Sequence, residues 1–181
     1  MRPTPFAEGV ERMSDPTFAD PEGKISRNRD QFLRELLREL AFVLENRIGI
    51  EDAKGFIARV GTRIGEMMDA EYRDLLEVER LDAKQVAAAL VDLKKRIEGG
   101  FEIESIADDR IVLVSDACPF GSYVKGRQSL CMMTSSVFGR ITADNLGYAR
   151  VEKAETIARG DPRCRIIVHL SEGKVGREYF G

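Results

Sequence analysis

Tryptophan is absent from this chain of 181 residues, and His169 is its single histidine. A single histidine excludes sites built on paired histidines, such as the H-E-x-x-H motif of zinc hydrolases. The sequence also lacks a G-x-S-x-G elbow, a Walker A loop and a G-x-G-x-x-G turn after a strand. Those motifs mark serine hydrolases and nucleotide-binding enzymes. His169 itself lies in an apolar, strand-like run, which is typical of a packed histidine rather than of a ligand or base.

Long apolar runs are missing as well. No segment approaches the ~20 apolar residues that a membrane-spanning helix needs, and the N-terminus lacks the apolar stretch of a secretory signal. The net charge of −3 argues against non-specific binding of nucleic acid. The number of cysteines is odd, which is typical of a reducing compartment. We therefore expect a cytoplasmic protein with no membrane segment and no direct contact with nucleic acid.

The composition is that of one folded domain, with 43% hydrophobic and 33% charged residues. Residues 1–26 are rich in proline, glycine and acidic residues, which predicts a disordered arm. Residues 27–170 carry the periodic patterns of a single domain. Residues 171–181 contain three glycines and are expected to form a loose tail.

Three N-terminal segments have apolar residues every three or four positions, which predicts amphipathic helices. These helices are predicted over 27–47, 51–79 and 82–97. The first carries Phe32, Leu36 and Leu40 on its apolar stripe, and we expect it to form the interface of a homodimer. In the second, Gly61 and Gly65 share one face, which indicates either close approach of another helix or two tolerated, exposed glycines.

The periodicity changes after residue 100. Alternating apolar and polar residues predict strands over 101–105 and 110–115, and later strands over 148–156 and 165–170. A fourth helix is predicted over 130–146, between the two strand pairs. The order of helices, hairpin, helix and hairpin predicts an α+β fold, with the N-terminal helices packed on an antiparallel sheet.

Three cysteines occupy junctions between these elements. Cys118 lies in a turn, Cys131 opens the fourth helix and Cys164 enters the last strand. Three thiols cannot form a closed set of disulfides, but three thiolates suit a metal or iron–sulfur site with one position left for another ligand. The alternative is simple burial, because free cysteine often only packs. No C-x-x-C pair is present to decide between the two.

The stretch from Leu130 to Val168 resembles the ending of the four-vinyl-reductase domain, whose fold is shared with the TRAPP trafficking subunits. The shared features are a cysteine that opens a helix rich in small residues, a strand that ends in acidic residues, and G-D-P-R-C-R at 160–165 before a final strand. The phrases C-P-F-G at 118, L-C-M-M-T-S at 130 and N-L-G-Y at 145 are similar to the related methanogen output domain. The resemblance spans about residues 29–170.

This resemblance implies a sensory or regulatory module. In the ligand-sensing relatives the domain is a dimer and holds a small molecule between helices and sheet. We therefore expect an apolar ligand pocket here, although the same side chains would equally fill a core. The candidate lining residues are Phe56, Val60, Ile64, Phe138 and Tyr148.

The same relatives bind zinc through cysteines and an acidic residue. They have a further cysteine eight residues before the position of Cys164, where this chain has Thr156. The zinc site therefore does not carry over whole. Cys118 is the candidate replacement, with Glu152 or Glu155 as a fourth ligand. A three-cysteine iron–sulfur cluster is the alternative, and we leave zinc and iron–sulfur undecided.

The function predicted from the sequence is thus a sensory domain for signal transduction. A metal or iron–sulfur site at Cys118, Cys131, Cys164 and Glu155 would respond to a small molecule or a redox signal. Output would pass to a regulatory protein partner or through a homodimer. The first alternative is a non-catalytic interaction module with packed cysteines. A metal-dependent enzyme ranks last, because activation of a thiolate needs a nearby base or positive field.

Overall fold

The computed structural model describes residues 27–181, and the predicted arm at 1–26 lies outside that range. The helices are α1 (Arg29–Ile48), α2 (Ile50–Leu76), α3 (Ala83–Arg96) and α4 (Cys131–Leu146). The strands are β1 (Glu102–Ala107), β2 (Arg110–Ser115), β3 (Tyr148–Glu155), β4 (Cys164–His169) and β5 (Arg177–Phe180). The predicted α+β fold is confirmed.

Local side chains define where the helices begin and end. Asn28 and Gln31 form a capping box at the start of α1, and Asp82 and Gln85 form another at the start of α3. Each box satisfies backbone N–H groups that have no partner within the helix. Gly49 adopts a positive φ of 82° between α1 and α2, a conformation that glycine reaches without steric cost.

The five strands form one antiparallel sheet in the order β1-β2-β4-β3-β5. Two hairpins, β1–β2 and β3–β4, join side by side through β2 and β4. This arrangement makes β4 the central strand. In the register between β2 and β4, Ser115 lies opposite Cys164, so the end of one hairpin meets the start of the last strand of the other.

The tail differs from the prediction. Residues 177–180 form β5, which pairs with β3, and Tyr179 is buried. Its hydroxyl lies 3.0 Å from Ser135 Oγ and 3.2 Å from Ser136 Oγ in α4. The glycine-rich composition of the tail predicted a loose segment. The strand forms because the Tyr179 ring is buried and residues 177–180 pair with β3 at the edge of the sheet.

The main core lies between the sheet and helices α2, α3 and α4, around Phe138, Leu90 and Val168. Helix α2 approaches α4 closely. A Cβ added at Gly61 would come within 2.8 Å of Ser136 Cβ, and one added at Gly65 within 2.9 Å of Arg140 Cβ. The two glycines therefore permit close helix packing, as one of the two sequence readings expected.

Helix α1 lies outside this core. Only Ala41 of α1 is buried, and it belongs to a second, smaller cluster with Val124, Leu130 and Met132. Between residues 27 and 181 no helix is long and apolar enough to cross a membrane.

Candidate functional site

The three cysteines line one small cavity, named here the cysteine pocket. Its volume is about 30 Å³, and apolar atoms form most of its wall. It is lined by Phe101, Ala117, Cys118, Pro119, Phe120, Val124, Leu130, Cys131, Thr134, Lys153, Thr156, Cys164 and Ile166. The three cysteines that the sequence analysis gave as candidate metal ligands therefore share one cavity.

The fold explains this convergence. Cys164 is the first residue of β4 and pairs with Ser115 at the end of β2, three residues before Cys118. The Ser115 hydroxyl lies within hydrogen-bond distance of the carbonyl oxygens of Gly99, at 2.5 Å, and Ala117, at 2.7 Å, and it accepts from the Ala117 N–H at 3.1 Å. These contacts hold the turn that carries Cys118. Cys131 opens α4 after the short 3-10 helix Gln128–Leu130. A sheet register, a hydrogen-bonded turn and a helix start thus meet at one point.

All three thiols are free and partly buried. Burial raises the pKa of Cys131 to about 12. It also raises the pKa of Cys118 and that of Cys164, although backbone hydrogen bonds work against the shift at both. In the protein on its own these thiols are protonated near neutral pH, and protonated thiols are poor nucleophiles. The arrangement does not favour an enzyme with a cysteine nucleophile.

Lys94 lies beside the pocket and is almost fully buried, with 4% of its surface exposed. Its ammonium group donates to Thr134 Oγ1 at 2.7 Å. The Nζ atom lies 5.8 Å from the ring centre of Phe101 and 5.4 Å from that of Phe138. Burial lowers the pKa of Lys94 to about 8, and the three cysteines act in the opposite direction. No carboxylate among residues 27–181 pairs with it.

A second lysine, Lys153, lines the pocket from β3. Its Nζ lies 2.9 Å from the Met132 sulfur, and burial lowers its pKa. Sequence reasoning missed both lysines. A signal existed for Lys94, which lies four residues after Leu90 and next to Leu93 on the apolar stripe of α3, a position that predicts burial.

The predicted acidic ligands lie elsewhere. Glu155 is not a lining residue of the pocket, and its carboxylate accepts from Arg163 Nε at 3.1 Å. The Glu152 carboxylate is 2.9 Å from His169 Nε2. Within residues 27–181 no group of three or more His, Cys, Asp or Glu side chains is arranged to hold a metal ion. Three thiols are suitable donors for a metal ion. The three cysteine side chains would have to come closer to one another to bind a single ion.

The five predicted ligand-binding residues lie in different parts of the described fold. Phe56 and Val60 are half exposed on α2. Ile64 packs against the main core, and Phe138 is fully buried within it. Tyr148 packs on Phe180 at the sheet edge. The helical stripe of α2 is wider than the face that the core covers, so some of its apolar residues point outward.

Two larger surface cavities flank the cysteine pocket. One, of about 770 Å³, lies between the 116–128 and 157–162 segments and shares Cys118 with the pocket. The other, of about 410 Å³, lies between α1 and the end of α3. Lys94 lines it together with Leu33, Leu37 and Met133. The first cavity thus borders the cysteine pocket at Cys118, and the second borders it at Pro119 and Phe120.

Helix α1 is tied to the loop that carries Cys118. Arg38 donates to the carbonyls of Tyr123, at 2.6 Å, and Lys125, at 2.9 Å. Further along α1, the Glu45 carboxylate accepts from the Ser129 hydroxyl at 2.6 Å. These contacts join α1 to the segment that connects Cys118 to Cys131.

The outer surface of α1 is unusually apolar. Its exposed residues include Phe32, Leu33, Leu36, Leu37, Leu40, Phe42 and Val43. Phe56, Val60 and Met67 continue the exposed apolar surface on α2. Exposed apolar patches of this kind are typical of protein interfaces.

Comparison of folds agrees with the sequence resemblance. Subunit 3 of the trafficking protein particle complex from Naegleria fowleri, solved covalently bound to palmitic acid, has a TM-score of 0.58 at 14% identity. The match covers 82% of this chain and 97% of that one. The phenol-responsive sensory domain of the transcription activator PoxR, solved with phenol, has a TM-score of 0.61 at 18% identity, covering 78% and 74%.

Among curated proteins, none matches the chain in sequence. The family described as methanogen output domain 1 matches residues 36–169, a range that includes all three cysteines and Lys94. The resemblance expected from the phrases at Cys118, Leu130 and Asn145 is therefore confirmed, and the chain belongs to the methanogen output domain 1 family.

Proposed function

We propose that this chain is a sensory or regulatory domain and that the cysteine pocket is its signal-responsive site. The family consists of output domains, and a fold neighbour is a phenol-responsive sensory domain. One observation carries the proposal. Three cysteines from distant parts of the chain line a single cavity, and Lys94, a buried lysine with no carboxylate partner among residues 27–181, donates to Thr134 in the wall of that cavity.

The proposed content of the pocket is a metal centre bound by Cys118, Cys131 and Cys164 as thiolates, with zinc and an iron–sulfur cluster as the two candidates. Zinc would stabilise the fold by joining the three segments, and a cluster would add redox chemistry. The cavity of about 30 Å³ has the size of one water or one ion. A cluster therefore requires the 118–130 segment to move outward, while a single ion requires the thiols to close in.

The proposed output path runs through α1. Loss or gain of a centre at Cys118 and Cys131 would shift the segment between them. Arg38 and Glu45 bind that segment from α1, so α1 would shift with it. A sensory domain switches when a signal changes the balance between two arrangements of its packed elements.

The proposed receiver is a second copy of the domain or a regulatory protein that binds the apolar surface of α1. Phe32, Leu36 and Leu40 are exposed in the single chain, and burying them would release their apolar surface from water. The trafficking subunit among the fold neighbours is part of a complex, which also favours an interaction role. If the cysteines only pack, this interaction role stands alone as the second candidate function.

A small-molecule signal would require a different cavity from the one predicted around Phe56 and Val60. The cavity of about 410 Å³ between α1 and α3 is large enough for a small ligand. It touches both Lys94 and α1, and a ligand there would act on the signal site and on the output helix together.

Metal analysis of the anaerobically purified full chain tests this function. We expect zinc, or iron with acid-labile sulfide, in stoichiometric amount in the wild type. The variants Cys131→Ser and Cys164→Ser should lose it, and Glu155→Gln should retain it because Glu155 pairs with Arg163 outside the pocket. Full metal content in both serine variants, or no metal in the wild type, would refute the proposed metal centre.

A further inference from the structure

The cavity of about 410 Å³ between α1 and the end of α3 has an apolar lining drawn from three separate elements. Leu33 and Leu37 come from α1, and Met133 comes from α4. Pro119 and Phe120, from the turn after β2, complete the apolar lining. Leu33 is 48% exposed and Leu37 is 39% exposed, so an apolar group bound in the cavity would remove apolar surface from water. The volume lies in the range of small-molecule sites.

Two acidic and three basic side chains line the same cavity. Arg34 lies between the two carboxylates, with its Nε 2.9 Å from Asp30 Oδ2 and its Nη2 3.0 Å from Glu98 Oε2. Arg96 has a carboxylate partner on its own helix, at 2.6 Å. Both arginines are therefore paired. Lys94 is the lining cation that has no carboxylate partner within the described part of the chain.

Lys94 is also buried, with 4% of its surface exposed, and its ammonium group carries three N–H donors. One of them donates to Thr134 Oγ1 at 2.7 Å, and no second acceptor lies within hydrogen-bond distance among residues 27–181. The rings of Phe101 and Phe138 have their centres 5.8 Å and 5.4 Å from Nζ and attract a cation only weakly. Buried lysines are rare unless they are paired, and buried donors without acceptors destabilise a fold. An anion in the cavity would supply both the opposite charge and the acceptors.

We propose that the cavity between α1 and α3 binds a small organic anion, which consists of a hydrocarbon body and one carboxylate. The carboxylate pairs with Lys94, and the hydrocarbon covers Leu33 and Leu37. This inference deepens the proposed sensory function and rests on it, because it names the chemical class of the small-molecule signal.

The lining of the cavity favours this class over other ligands. A neutral hydrocarbon would leave the Lys94 ammonium group unpaired, and an inorganic anion would leave the two leucines in water. A dianion would bring its second negative charge close to the Asp30 and Glu98 carboxylates, which repel it. Because the leucines belong to α1, a ligand that covers them also changes the contacts of the proposed output helix.

The test measures the binding of sodium hexanoate and sodium phenylacetate to the full-length protein by isothermal titration calorimetry. Hexanamide and phenylacetamide are neutral counterparts with the same hydrocarbon bodies, and inorganic phosphate is an anion without such a body. All titrations are repeated in the presence of a chelator, so that the outcome does not depend on the proposed metal centre.

Two pairs of variants test the two parts of the site. Lys94→Met and Lys94→Gln remove the buried charge, and Lys95→Met is the matched control at the exposed neighbouring position. Leu37→Asn changes the apolar lining, and Leu40→Asn is its control at an exposed position of α1 that does not line the cavity. Near-ultraviolet circular dichroism checks that each variant is folded.

We expect the wild type to bind at least one of the two carboxylates and to bind the matching amide at least about ten-fold more weakly, because hydrogen bonds between charged groups are the stronger kind. Both Lys94 variants should lose affinity for the carboxylate by a similar factor, and Lys95→Met should match the wild type. Leu37→Asn should weaken binding by about ten-fold, while Leu40→Asn should leave it unchanged. Phosphate should not bind, and the chelator should make no difference.

A wild type that binds neither carboxylate would overturn the proposal, and so would phosphate that binds as tightly as the carboxylates. Carboxylates that bind no better than their amides, or that bind equally well to the folded Lys94 variants, would overturn it as well. Metal content decides the proposed metal centre independently, so the two hypotheses fail on different measurements. If Lys94→Met fails to fold, the neutral Lys94→Gln protein carries the comparison.

Discussion

The Lys94→Met substitution in metal-free protein is expected to stabilise the fold. In that state Lys94 keeps a positive charge in the core with no anion beside it. Methionine has a similar length, removes the charge and packs well against the rings of Phe101 and Phe138. The buried charge of Lys94 is thus expected to destabilise the metal-free protein.

The magnitude follows from the shift in the pKa of Lys94, from 10.5 to about 8. At about 1.4 kcal/mol for each unit, the charged lysine costs the folded state roughly 3 kcal/mol at neutral pH. The substitution also removes the hydrogen bond from Lys94 to Thr134, which lowers the stability by about 1 kcal/mol. The net expectation is about 2 kcal/mol of added stability, or roughly 5 °C in melting temperature for a chain of this size.

The pH dependence has a definite sign. Between pH 8 and 10.5 the folded wild type releases the Lys94 proton while the unfolded chain keeps it, so this group adds stability as the pH rises. The cysteines act in the opposite direction, because burial raises their pKa values in the folded state. Both proteins share the cysteines. The stability advantage of Lys94→Met over the wild type should therefore shrink as the pH rises through this window.

Urea unfolding in the presence of a strong chelator and a reductant measures the difference, with Lys95→Met as the control that should stay within about 0.5 kcal/mol of the wild type. A metal-free Lys94→Met protein that is less stable than the wild type at pH 7 would refute the reasoning. So would a stability gain that does not change between pH 7.5 and 10.

Three further predictions concern other parts of the molecule. Cys118→Ser should lose less metal than Cys131→Ser in elemental analysis, because a water molecule can replace a ligand in the surface turn. Leu36→Glu should convert a dimer into a monomer in light scattering at micromolar concentration, while a wild type that is itself monomeric would contradict the α1 interface. Gly139→Ala should lower stability by about 1–3 kcal/mol in urea unfolding, since a methyl group there meets the Tyr179 ring; unchanged stability would show that β5 yields easily.

Several features of the site could be predicted from the sequence, because each depends on residues that are close together in the chain. Cys131 and Cys164 each open an element, and Cys118 lies in the turn three residues after β2. Turns and element ends follow from turn residues and caps within a few positions. Strand pairing then brings those ends together, as the register of Ser115 with Cys164 shows. Whether the candidate pocket residues of α2, Phe56, Val60 and Ile64, face the core or the solvent could not be predicted in the same way. Periodicity marks an apolar stripe, but it does not say which part of the stripe another element covers.

The sequence by itself determined the helices, the two hairpins and their antiparallel α+β arrangement, since periodicity and capping act over a few residues. The capping box at Asp82 belongs to this group, whereas the role of Gly61 and Gly65 was decided only by the close approach of α4. Only the tertiary structure decided that the three cysteines line one cavity, that Lys94 is buried beside Thr134 in its wall, that Glu155 pairs with Arg163, and that residues 177–180 form β5. Those outcomes depend on which distant surfaces come into contact, and burial, charge balance and edge pairing exist only after the chain has folded.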